Sequence, residues 1–195
     1  MIAELAAQGR SWPWPLVRPS EVEQELAYQV EWLDGQRRQT QLWYGRLEAL
    51  LSRHWPEATR LLALNSGILR RCLVSYGGPR GLAEAPQAVE RLWSWGKGLL
   101  SRQKAEALVA SARQTAGVPL GRWDEQRLCR YAQVIQQGLQ QMRTAARRLR
   151  QLASAHPTIP AMGEVVGLVT ACVLWVERSC CMTCSPCPSA RSLPS

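Results

Sequence analysis

Apolar positions from Ser20 onward recur at steps of three and four. Val30, Leu33, Arg37, Thr40, Tyr44, Leu47 and Leu51 follow this spacing, which aligns side chains along one helical face and marks the seam of a coiled coil or helical hairpin. Arg37 and Thr40 are its polar members, which weaken a seam and fix its register. The pattern fits both a helix packed within its own domain and a coil between two chains. Ser20, with Glu23 three residues on, forms a capping box that starts the helix, and no proline follows until after Arg53. His54-Trp55-Pro56 ends it, because the residue before proline is pushed out of the helical region. Proline also suits the first turn of the next helix.

Shorter periodic stretches follow, Glu57 to Leu64, Ser66 to Tyr76, Pro86 to Trp95 and Ser101 to Thr115. They are separated by Asn65, by Gly77-Gly78-Pro79 and by Gly96-Lys97-Gly98. Asp124 is expected to cap a second long helix that runs to about Ala153 and carries Leu128, Tyr131, Ile135, Leu139, Met142, Leu149 and Leu152 near one face. No stretch alternates with period two. The expected fold class is all-α: long antiparallel, coiled-coil-like helices with short intervening helices, followed by an incomplete helix-hairpin-helix element. Residues 1 to 19, interrupted by Pro13, Pro15 and Pro19, read as an extended lead-in before a helical region spanning 20 to 154.

Composition narrows the chemistry. The 195 residues carry a formal charge of +9, and of 24 basic residues only Lys97 and Lys104 are lysine. Asp34 and Asp124 are the only aspartates among 15 acidic residues, and His54 and His156 are the only histidines. Carboxylate-metal or histidine-centred catalysis therefore has few candidates. Arginine in excess suits a polyanion, since its guanidinium makes bidentate phosphate contacts, although a charge surplus also serves solubility. The longest uncharged apolar run, Val165 to Val176, is too short for a membrane span, which needs about 18 to 20 residues. With no secretory signal at the start, a cytoplasmic protein with reduced cysteines and no membrane partner is the expectation.

Two features point to nucleic acid. Arg143, Arg147, Arg148 and Arg150 crowd the last turns of the second long helix. There they would either complement the helix dipole or follow a phosphate backbone. Further on, Gly163 and Gly167, with Thr170-Ala171 heading an apolar helix, match the second half of a helix-hairpin-helix, whose glycine turn leaves amides free to meet a phosphate. A buried helix closing a bundle accounts for the same residues.

Four segments together resemble the bacterial transposases of the IS-one-ten family. They are Glu31 to Arg38, Leu42 to Glu48, His54 to Arg60 and Pro160 to Trp175, with Trp-Pro-Glu-Ala-Thr-Arg and Val-Val-Gly-x-x-Thr-Ala-Cys-Val-Leu-Trp as the most specific strings. The resemblance covers roughly residues 16 to 177. It implies a DNA recombinase that moves its own insertion sequence under the guidance of a structured RNA. Such an enzyme has a RuvC-like N-terminal domain with acidic ligands for a divalent metal such as magnesium, a helical region used in assembly, and a C-terminal domain with a catalytic serine. Neither the acidic domain nor the serine motif has a counterpart in these 195 residues. The chain therefore reads as a truncated transposase, not active by itself, with no catalytic residue, metal ligand or cofactor to assign. Its implied partners are DNA, a structured guide RNA, and a second copy or an intact transposase. The nucleic-acid contacts would come from Arg143, Arg147, Arg148, Arg150, Gly163, Gly167 and Thr170. Residues 157 to 177 would open the C-terminal domain. The competing reading is a non-catalytic helical module that dimerises or binds a protein.

After Glu177 the composition switches to Cys, Ser and Pro. Cys181, Cys184 and Cys187, beside Cys180, have spacing compatible with zinc or an iron-sulfur cluster. They lack the second ligand pair and intervening loop of a structural zinc site, and a disordered tail, residues 178 to 195, translated out of frame from a GC-rich gene explains the same residues. Such coding also raises arginine without a partner. Trp43, Trp55, Trp93, Trp95 and Trp123 are expected in the core rather than stacked on bases, His54 and His156 in capping or surface roles, and Cys72, Cys129 and Cys172 as buried thiols.

Overall fold

The computed structural model describes residues 20 to 155, all of whose regular elements are helices. The lead-in 1 to 19, the glycine turn with Gly163, Gly167 and Thr170, Cys172, His156 and the cysteine-rich tail lie outside the described residues. Helix α1 (Glu21–His54) opens with the capping box expected of Ser20 and Glu23: the Ser20 side chain accepts from the Glu23 amide, and Glu23 Oε2 accepts from the Ser20 amide at 2.7 Å. It stops at Trp55, whose φ of −152° precedes Pro56. Helix α2 (Pro56–Leu61) follows with proline at its first position, and then α3 (Gly67–Tyr76) with Ser66 as N-cap.

The next stretch corrects the expected order. Gly77-Gly78-Pro79 is not a plain separator, because Pro79 starts a short helix, α4 (Pro79–Glu84). Proline lacks the N–H that a first turn leaves unpaired anyway, so the residue that ends one helix can begin another. Helices α5 (Ala88–Gly96) and α6 (Arg102–Arg113) complete the short set, the latter capped by Ser101. Helix α7 (Arg122–Ala155) starts two residues before Asp124, which is thus a first-turn residue and not the cap. An acidic side chain there still complements the dipole.

The two 34-residue helices, α1 and α7, lie antiparallel. Their direction follows from four contacts: Glu25 pairs with Arg148, Thr40 abuts Gly138, Trp43 meets Tyr131 and His54 approaches Asp124. Leu26, Leu33, Thr40, Tyr44, Leu47 and Leu51 bury along α1. Leu128, Ile135, Leu139, Met142 and Leu149 bury along α7, with Ala132, Ala145 and Ala146 between them. Each buried leucine is worth about 1.5 to 3 kcal/mol. Two members of the expected seam fall short. Val30 is half-buried, and Arg37 turns aside to bond Asp34 at 2.8 Å, while Leu26 and His54 are buried at the ends.

The short helices make a second layer. Helix α3 packs on α7, and α6 is the hub touching α2, α4 and α5. One continuous core joins both layers. Arg70, buried on α3, donates to the Tyr44 hydroxyl at 2.7 Å and to the Asn65 carbonyl at 2.5 Å, so a charged side chain ties the layers together by hydrogen bonds.

The end of α1 is the busiest junction. Trp55 is fully buried and its indole N–H donates to Ser111 on α6 at 3.1 Å. His54 is buried too, which corrects the expected capping or surface role: its Nδ1 donates to the Val118 carbonyl at 2.9 Å. Glu57 accepts from the Ala116 amide at 2.9 Å and the Thr115 hydroxyl at 2.8 Å. Gly117 passes so close that a Cβ there would sit 2.3 Å from the His54 backbone. The loop before α7 is thereby fastened to the end of α1.

Two outcomes test this packing. A Cβ on Gly138 would lie 2.8 Å from Thr40 Oγ1, whereas one on Gly45 meets nothing within 4 Å. Gly138→Leu is expected to destabilise by about 1 to 3 kcal/mol in urea titration, and Gly45→Ala to stabilise by up to about 1 kcal/mol through helix propensity. The Ala116 amide also holds the Glu57 carboxyl below its ordinary value of 4.5. Its stabilising contribution is therefore full above that pH and is lost as pH falls through the depressed value. The gap in urea midpoint between wild type and Glu57→Gln should shrink between about pH 5 and pH 3.

Candidate nucleic-acid interface

All four arginines of the expected cluster are exposed, but α7 does not present them as one group. At about 100° per residue, Arg143, Arg147 and Arg150 fall within about 60° of each other, and Arg148 lies about 100° or more round the helix. The first three form a stripe on one flank of the α1–α7 seam. Arg148 sits on the other flank, where its Nη2 donates to Glu25 Oε1. The helix continues to Ala155, beyond Arg150, so the cluster is not in the last described turn. Dipole complementation fades within a single turn and explains these arginines poorly.

Several other basic side chains pair with acidic neighbours. Asp34 bonds Arg37 at 2.8 Å and Arg38 at 2.6 Å, and the Arg37 hydrogen bond holds the Asp34 carboxyl below its ordinary range. Arg80 pairs with Glu84, Arg102 with Glu90 and Glu106, and Arg127 with Asp124. These are exposed pairs of small energetic worth, but they cancel positive potential where they stand.

The flank that carries Arg148 holds an open groove of about 600 Å³. Tyr28, Gln29 and Trp32 line it from α1, and Gln137, Gln140, Gln141, Thr144 and Ala145 from α7. Sequence reasoning missed this site. Its signal was present in the spacing Gln137, Gln140, Gln141, Thr144, one face of a helix, but the aromatic wall opposite appears only once the antiparallel register is known. Further along the same flank the space is filled: Trp43 packs on Tyr131 at 5.3 Å between centroids, with the Arg46 guanidinium 4.6 Å from the Trp43 ring.

The tryptophans divide. Trp55 is core, and Trp43 and Trp95 are half-buried, the latter against Tyr76 and under Arg71. Trp93 and Trp123 are 52% and 77% exposed, which corrects their placement in the core. Both lie outside the buried stripe of their helices, where tryptophan finds no facing element to pack on. Cys72 is buried and Cys129 half-buried, its thiol 3.7 Å from the Val74 carbonyl. Among the described residues no group of three or more His, Cys, Asp or Glu could hold a metal ion, and no helix is long and apolar enough to cross a membrane.

Comparison of the chain with known protein families, characterised proteins and solved structures finds no match.

Burial pushes the Cys72 thiol up to about 12, so the reactive thiolate is scarce near neutrality. Iodoacetamide at about pH 8 should leave Cys72 unmodified in the native protein and label it after denaturation. Cys129 should react faster under native conditions, as read by peptide mass spectrometry.

Proposed function

We propose that the chain is a nucleic-acid-binding helical part of a transposase that moves an insertion sequence. Its role is to hold DNA, or DNA with a structured guide RNA, during transposition, and by itself it carries out no strand chemistry. The observation that carries the reading is the stripe of Arg143, Arg147 and Arg150, aligned along an exposed flank of α7. One helical turn rises about 5.4 Å, so the three guanidinia span a distance over which a phosphate backbone offers successive charges. Contacts of this kind position a duplex without reading its sequence. The family resemblance supplies the biological setting, and the net charge of +9 agrees with it.

A second reading is favoured by a separate observation. Leu42, Trp93, Leu99 and Trp123 are large apolar side chains left 48% to 77% exposed, which a second copy or another protein would cover if the chain is a helical binding module. A stable dimer in light scattering, together with no nucleic-acid binding, would favour that module over the first reading.

Fluorescence anisotropy of a labelled duplex at two or more salt concentrations tests the proposal. Affinity is expected to fall linearly in log–log coordinates as counterions are released. Replacing Arg143, Arg147 and Arg150 together by alanine should reduce that slope by about 3, one per lost contact, with helix content unchanged. Salt-insensitive binding, or an unaltered slope in the triple variant, would sink the assignment of the stripe.

A further inference from the structure

We infer that the groove between α1 and α7 is a binding site for unpaired nucleotides, distinct from the arginine stripe on the opposite flank. The inference rests on the nucleic-acid reading above and adds to it a second mode of contact. Two halves of one flank make the case. In one half Trp43 has its ring covered by Tyr131 and Arg46. About three turns earlier, Trp32 stands at the equivalent place, but α7 opposes it with Gln141, Thr144 and Ala145, and the space stays open. Tyr28, one turn from Trp32, is 63% exposed and extends the aromatic wall. Unlike a core that failed to close, this gap is lined by glutamine amides.

That chemistry selects a ligand with a flat face and a polar edge. Aromatic rings offer stacking that any base accepts. Each glutamine amide both donates and accepts, so it can meet the mixed edge of an unpaired base, where a carboxylate or an ammonium could meet only half of it. At the mouth, Glu25 holds the Arg148 guanidinium through one nitrogen, leaving its other N–H groups for a phosphate. The volume of about 600 Å³ is that of an ordinary small-ligand site. A paired base keeps its faces and edge occupied within the duplex, so single strands, loops or flipped bases are the fitting occupants.

The test uses the full chain with an oligothymidylate, with a duplex of equal length, and with a maltooligosaccharide as a neutral ligand that also suits aromatic and amide surfaces. The oligothymidylate is expected to quench tryptophan fluorescence more than the duplex does. Trp32→Phe should retain binding by anisotropy but lose much of the quench. Tyr28→Ala should weaken oligothymidylate binding about five- to hundredfold, the range expected for one lost stacking partner. Thr144→Trp, an exposed-face substitution that fills the groove, should weaken it likewise while sparing duplex affinity. Unchanged oligothymidylate affinity in both Tyr28→Ala and Thr144→Trp overturns the site, as does quenching by the sugar alone. If duplex binding through the arginine stripe persists while the groove variants have no effect, the groove fails alone. If no nucleic acid binds at all, both readings fall together.

Discussion

The close apposition of α1 and α7 is the constraint on which the remainder of the molecule rests. It is close where Thr40 meets Gly138, a polar side chain buried against a residue with no side chain of its own. Close-packed interiors respond to single methylenes, and a Cβ at 138 would press on Thr40. Alanines at 132, 145 and 146 keep α7 near α1 on either side of it. Helix α3 docks on α7, and α6 gathers α2, α4 and α5 beneath. Displace α7 from α1 and the second layer loses the surface it is built on.

Register along this pair is settled at its ends by different means. One end has the fastening of His54, Trp55 and Glu57 to α6 and to the loop before α7, by part-buried hydrogen bonds of the two rings and an exposed one from the Ala116 amide to the Glu57 carboxylate. The other end has buried apolar packing, with Leu26 and Leu149, and the exposed pair of Arg148 with Glu25. Hydrogen bonds that satisfy buried groups are costly to break, whereas an exposed ion pair is worth about 1 kcal/mol or less. The hydrogen-bonded end lies away from both candidate nucleic-acid surfaces, and those surfaces flank the opposite end.

Much of the helical plan was legible in the chain. The capping box at Ser20 and the stop at Pro56 mark α1 because both signals act through neighbouring backbone atoms. The apolar positions of α7 were visible because a helix repeats its buried face. What escaped depended on neighbours distant in sequence. Nothing local says that His54 is buried, since its partner Val118 arrives from another segment. Pro79 sends equal signals for ending and beginning a helix, and only packing on α6 decides. Exposure of Trp93 and Trp123 is likewise set by what does not cover them. The four arginines crowd together along the sequence but not round the helix, whose turn separates Arg148 from the rest. The groove needed both helices at once, one giving rings and the other amides.

The pairing of Glu25 with Arg148 spans a sequence separation of 123 residues, and this distance bears on how the chain reaches its final form. A hairpin of neighbouring helices can zip from its turn, but α1 and α7 have five helices between them. Contacts so far apart in the chain bring their reward only after a large loss of chain entropy. The loop fastened to the end of α1 holds the start of α7 beside His54. The proposed ligand surface lies at the end of the pair farther from that loop, so its two walls are brought together by the whole fold and not by a local turn.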